Sequence, residues 1–162
     1  LASMIEDSLR QNGIEPQLIE FEITESTIME RPDEMIDMLK ELKAMGTRLA
    51  IDDFGTGYSS LSYLKRFPLD YIKIDRAFIS DVMSNRIDAD IVRTIIALAQ
   101  ALEVKVIAEG VETAQQRQFL KEQNCHYAQG YQLNKPVPAA EIERRFLKRA
   151  DASNLVPFPK GS

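Results

Sequence analysis

The side chains most able to do chemistry recur at regular places in this chain. They are Glu22 and Glu25, then Asp52 and Asp53, then Lys73 and Asp75, then Glu109 and Glu112, and last Gln129. Each group sits at or near the C-terminal end of a short apolar run. Four or five carboxylates with no histidine partner make an all-oxygen donor set, suited to Mg²⁺, Mn²⁺ or Ca²⁺. Without a cation, acids crowded on one face repel and some take up protons. Asp52 and Asp53, in IDDFGTGYSS, place two like charges side by side where a buried strand should end. Neighbouring strand residues point to opposite faces, but where a strand breaks into a glycine-rich turn both carboxylates can reach one pair of cations. Two ions about 3.5–4 Å apart, bridged by a carboxylate, suit in-line attack on a phosphodiester. Lys73 could then orient the attacking water or stabilise charge on the transferring phosphoryl group.

The elements that must position these groups alternate between β-rich runs and longer amphipathic segments. Strands are expected over Leu18–Thr24, Arg48–Asp53, Tyr71–Asp75, Val104–Ala108 and Ala128–Leu133. Pro32 opens a helix pattern that ends before Gly46. Further helices are expected over Asp90–Leu102, over Ala114–Gln123 with Thr113 as cap, and from Pro138 through Lys148. Strands alternating with helices of ten or more residues imply βαβ units and a parallel sheet. Two architectures fit, an open doubly wound sheet and part of a (β/α)8 barrel. No Gly-x-Gly-x-x-Gly follows a strand, which removes the main sign of a dinucleotide fold. In parallel α/β folds the C-terminal strand ends share one face, and that face holds the active site.

Composition narrows the function classes. The chain has 162 residues, 44 % hydrophobic and 28 % charged, enough for one domain with a core. A net charge of −5 speaks against a DNA or RNA polymer as partner, and a phosphate-bearing ligand would need cations or backbone N–H groups. Cys125 is the only cysteine and His126 the only histidine. This rules out an internal disulfide, argues against a His/Cys zinc site and suits a reducing compartment, the cytoplasm. Both residues read as ordinary packing or surface positions, and the six methionines as core filler and helix surface. No apolar run is long enough to span a bilayer and no secretory leader is visible. The sequence opens within a helical pattern, as if cut from something longer. Residues 151–162 read as a linker or cloning remnant, leaving 1–150 as the domain.

The motifs FEITES, AIDDFGTGYSSLSYLKRFPLDYIKIDRAFI, VIAEGVET and AQGYQLNKPVP, in this order, closely resemble the EAL-domain family of cyclic di-GMP phosphodiesterases. The resemblance covers about residues 1–148. It implies a partial TIM-like (β/α)8 barrel with about five βα units, and hydrolysis of the cyclic dinucleotide to linear pGpG in bacterial signalling. It also implies two divalent cations, Mg²⁺ or Mn²⁺, with Ca²⁺ inhibitory. By matching motif, Glu22 and Asp52 resemble ligands of one metal. Asp52 would bridge to a second metal that Asp53 also binds. Lys73 resembles the lysine holding the catalytic water, and Glu109 and Gln129 resemble further metal or water ligands, Glu109 with a catalytic role. Glu25 and Glu112 resemble anchors of the loop after Asp53, and Asp75 is expected near the substrate. A homodimer or edge-paired oligomer follows, with sensory or GGDEF-type domains, or a membrane anchor, possible elsewhere in the parent protein.

The departures from that pattern set further expectations. The Glu-Ala-Leu tripeptide and the early Asn-x-Ser strand are absent, and five strands stand where the barrel needs eight. This places two ligands of the first metal and the N-terminal strands upstream of Leu1, and predicts a chain inactive or nearly so by itself, with open sheet edges prone to association. The competing function is a regulatory module that binds cyclic di-GMP without cutting it, and a third is a fragment that only assembles. Plainer roles compete at single residues. Asp52-Asp53 could cap the glycine-rich turn, and Lys73 could snorkel from an edge strand. Glu25 and Glu112 could complement helix dipoles, and Asp75 could cap the Arg76–Phe78 turn. Ser59 and Ser60 read as caps of a short Leu61–Leu64 helix.

Overall fold

Alternate residues in each strand run face opposite ways, and in the folded chain five such runs pair side by side. The computed structural model describes residues 1–57, 60–146 and 156–157. In chain order these form α1 (Ala2–Asn12), β1 (Glu20–Thr24), α2 (Glu25–Glu30), α3 (Pro32–Ala44) and β2 (Arg48–Phe54). Then come α4 (Leu61–Leu64), β3 (Tyr71–Ile74), α5 (Arg76–Ser80), α6 (Arg86–Ala101) and β4 (Lys105–Ala108). The described chain ends with α7 (Ala114–Glu122), β5 (Tyr127–Ala128), α8 (Ala139–Phe146) and β6 (Val156–Pro157). Strands β1 to β5 are parallel and lie in sequential order, while β6 runs antiparallel to β5. A doubly wound sheet reverses its strand order at a switch point. This sheet never does, so of the two architectures it has the barrel-type order.

The helix-facing side of the sheet is apolar. Leu49, Ile51, Ile72, Ile74, Val106 and Ala108 are fully buried there against α3, α6 and α7. Among the described residues the opposite side holds a small apolar cluster of Ala50, Tyr71 and Ile107, with Tyr127 against it. Thr113 and Gln116 form a reciprocal capping box at the start of α7. No helix among the described residues is long and apolar enough to cross a membrane.

Several boundaries differ from expectation for local reasons. The fifth strand is Tyr127–Ala128 rather than Ala128–Leu133. Gly130, at φ 154°, brings its backbone so close to Val111 that a Cβ would collide, and the chain turns away. Asn85 caps α6 by accepting from the Ile87 N–H, starting the helix four residues before Asp90. The FEITES segment contains a helix start, since the Thr24 side chain accepts from Thr27 N and α2 follows directly. Asp75 accepts from the Ala77 N–H and caps α5. Ser60 stands at the start of α4 without a side-chain cap bond; Ser59 and Lys148 lie outside the described residues. Within the stretch read as a linker, Val156 and Pro157 pair with Ala128 and Tyr127.

Candidate active site

The polar residues that end the strands converge on one ammonium group. Lys73 lies on β3 between Ile72 and Ile74, whose side chains enter the helix-facing core, so its own side chain crosses to the other face. There Nζ lies 2.8 Å from Glu22 of β1, 3.2 Å from Asp52 of β2 and 2.8 Å from Glu109, just past β4. The lysine side chain is only 5 % exposed, while the carboxylates remain 45 %, 22 % and 22 % exposed. Four consecutive strands therefore each deliver one member of the cluster.

The Asp52-Asp53 pair owes its arrangement to a break in β2. Its register with β3 slips between Ile51 and Phe54, and Asp53 sits at φ 54°. A non-glycine residue in this left-handed region stores on the order of 1 kcal/mol or more. The bulge spares Asp53 from pointing into the core, and leaves Asp52 on Lys73 while Asp53 comes near the carboxyl group of Asp75. Just beyond, the carboxylate of buried Glu25 accepts from the N–H groups of Gly55 and Gly57 at 2.8 and 3.2 Å. A Cβ on Gly57 would stand 3.1 Å from the Glu25 carboxyl carbon, so glycine permits this approach. Glu112 pairs with Arg76 at 2.9 Å. Gln129 stands apart from the lysine cluster, exposed on the edge of a cavity of about 300 Å³ that Tyr131, Asn134 and Lys135 also line.

The charges respond to this crowding. Hydrogen bonds to Glu109 and Glu22, and the charges of Glu109 and Asp52, raise the Lys73 ammonium above its ordinary range, although burial pulls it down. Burial pushes the Glu109 carboxyl up, Lys73 opposes this, and the charges of Asp52 and Glu22 add to it. One lysine gains three carboxylates, whereas each carboxylate has only a share of the lysine and still loses water. The Asp53 carboxyl is raised first by its hydrogen bond with Asp75, then by desolvation and by the charge of Asp52.

An oxygen-only set under mutual repulsion fits a hard divalent cation, which would relieve what Lys73 leaves unbalanced. Among the described residues no group of three or more acids is arranged as a ready metal cage, because three carboxylates point at Lys73 instead. Three contributors escape a search for strand-end acids. Glu20 lies one alternation before Glu22 on the same face, and its carboxyl is raised by burial and by Glu22; period-two spacing would have found it. Arg76, from the KIDRAFI motif, and Gln116, three residues after Thr113, fasten the loops around Glu109 and Glu112. Cys125 packs internally, its thiol pushed up to about 12 by burial. The His126 Nδ1 accepts from the Val106 N–H.

Sequentially ordered parallel strands, with acids and one lysine gathered at their C-terminal ends, define a (β/α)8-type barrel site. The chain belongs to the EAL-domain family, whose model, described as "EAL domain", matches residues 1–136. It is 46 % identical over 155 residues to the cyclic di-GMP phosphodiesterase NbdA of Pseudomonas aeruginosa, covering 94 % of this chain and 20 % of that protein. The solved P. aeruginosa MucR phosphodiesterase in complex with c-di-GMP superposes with a TM-score of 0.85. The two are 44 % identical, over 88 % of this chain and 57 % of that one. Klebsiella pneumoniae BlrP1, solved with manganese and cyclic di-GMP, gives a TM-score of 0.76 at 35 % identity, over 83 % of this chain and 34 % of that one. The chain thus spans about a fifth of the length of the curated relatives it matches.

Proposed function

We propose that this chain carries the metal-binding side of a cyclic di-GMP phosphodiesterase that hydrolyses its substrate to linear pGpG. The observation that supports this most is the contact of Lys73 Nζ with Glu22, Asp52 and Glu109, on four successive strand ends. Glu22, Asp52, Asp53 and Glu109 would hold Mg²⁺ or Mn²⁺, two per intact site. When bound, these ions would supply charge neutralisation and a nucleophilic water at neutral pH. Lys73 keeps its proton through the neutral range, so it acts as a hydrogen-bond donor and fixed positive charge rather than as a base. Glu109, 2.8 Å from Lys73 Nζ, would share in the catalytic step as the carboxylate partner of that lysine. Gln129 and Asp75 would orient water or substrate. Glu25 holds the Gly55–Gly57 turn through its two N–H bonds, and Glu112 secures the neighbouring loop through Arg76. Ca²⁺ would occupy the same oxygens without supporting turnover.

A cytoplasmic setting, and further sensory or GGDEF-type domains in a longer protein, belong to the same reading. It is supported by the lone cysteine and by the much longer relatives, of which MucR is a bifunctional diguanylate cyclase/cyclic di-GMP phosphodiesterase. The outer edge of β1 pairs with no strand among the described residues. We therefore expect the isolated chain to turn over far more slowly than the protein that carries it, and to self-associate through that edge. Chromatographic analysis of cyclic di-GMP incubated with that protein and Mg²⁺ or Mn²⁺ tests the reading, with pGpG as the expected product. Binding without any cleavage would replace it with the regulatory-module reading.

A further inference from the structure

Gln116 is a buried amide that uses its full hydrogen-bonding capacity. Its Oε1 accepts from the N–H groups of Glu112 and Thr113 at 2.8 and 2.9 Å. Its Nε2 donates to the carbonyls of Ile79 and Ser80 at 3.0 and 3.3 Å. The bond to Thr113 is one half of the α7 capping box, and capping alone would need nothing more. The donor side does something else. It reaches carbonyls at the end of α5, a five-residue helix that begins three residues after Lys73, where the Ile79 carbonyl also accepts from the Val82 N–H.

These bonds close a ring around the site. From Lys73 the chain runs through Asp75 and α5 to Ser80. Gln116 crosses from there to Glu112, the chain returns through Gly110 to Glu109, and Glu109 meets Lys73. The loop is pinned elsewhere as well. The Glu109 N–H donates to the Ile74 carbonyl, the Val111 N–H to the Gln129 carbonyl, and Arg76 pairs with Glu112 while its stem packs on Gly110. Of these ties, Gln116 is the one that reaches the far end of α5.

We propose that Gln116 is a positioning residue whose amide locks the end of α5 to the Glu109–Thr113 loop and so holds the Glu109 carboxylate against Lys73. This rests on the roles given above to Lys73 and Glu109, but its test does not depend on hydrolysis. Gln116→Glu keeps the acceptor and with it the capping box, yet has no donor for the α5 carbonyls. Gln116→Met removes both. In ¹⁵N-labelled chain without metal, the Lys73 ammonium hydrogens report how well their partners are held. Their exchange with water is expected to quicken about tenfold in Gln116→Glu, as the loss of one or two hydrogen bonds implies. Exchange at the Thr113 amide should stay near wild type in that variant and quicken only in Gln116→Met. An unchanged Lys73 signal in Gln116→Glu, with faster exchange confined to α5, would overturn the proposal and leave Gln116 a helix cap. If Gln116→Met does not fold, Gln116→Glu decides alone. Absence of phosphodiesterase activity in the wild type would count against the function proposed above and leave this measurement intact.

Discussion

Ile72 and Lys73 are neighbours on one strand, both almost wholly removed from solvent, and they do opposite work. Ile72 enters the face packed by helices, with Leu49, Ile51 and Val106 beside it. Lys73 enters the other face and meets three carboxylates that keep part of their hydration. Strand alternation thus lets one segment hold the fold together through one side and gather charge on the other. Burial by itself does not say which a residue does; the company it keeps does.

That contrast can be broken or sharpened by substitution. The largest effect is expected for Lys73→Met. Hydrolysis should fall by about 10²–10⁴-fold, the span seen when a positioned proton-handling or donor group is lost. Its urea midpoint should fall less than that of Ile72→Ala, because the freed carboxylates can regain water. Ile72→Ala should cost about 2–5 kcal/mol in the same unfolding measurement, as buried isoleucine truncations do, while the folded fraction keeps its activity. A greater stability loss for Lys73→Met than for Ile72→Ala would erase the distinction between the faces.

Smaller effects follow from the raised carboxyl of Asp53. Its charged form is disfavoured in the fold relative to the unfolded chain, so above about pH 4 it detracts from stability. Asparagine removes that charge and tolerates the positive φ. Asp53→Asn should therefore raise the melting temperature of metal-free chain at neutral pH, by about 1–3 °C, while weakening Mn²⁺ binding in a calorimetric titration. The smallest effect concerns His126, lowered by burial and then by the charge of Lys105, with Nδ1 accepting from Val106. Its neutral form is favoured in the fold, so its contribution is present above the ordinary value of 6.5 and is lost as pH falls from there through the lower folded value. Denaturant midpoints followed from about pH 7.5 to 5 should decline in wild type and decline less in His126→Gln.

Much of this was legible in the residues, and the failures have physical causes. The acids and Lys73 could be found because each falls at the end of a β-rich run, where topology forces strand ends together. Four of the five runs were recognisable as strands from their β-branched residues. The fifth ran past its end because a sequence pattern does not show that Gly130 must back against Val111. The role of Asp75 was ambiguous, and the fold lets it cap α5 while standing near the carboxyl group of Asp53. Gln116 was missed because its donors reach residues 36 and 37 positions away, a link no local pattern encodes.

The most direct test is Asp52→Asn, assayed for Mn²⁺-dependent conversion of cyclic di-GMP to pGpG. Asp52 touches Lys73 and opens the bulge that sets Asp53, so the account predicts a loss of at least about a hundredfold. Turnover within a few-fold of wild type would contradict it.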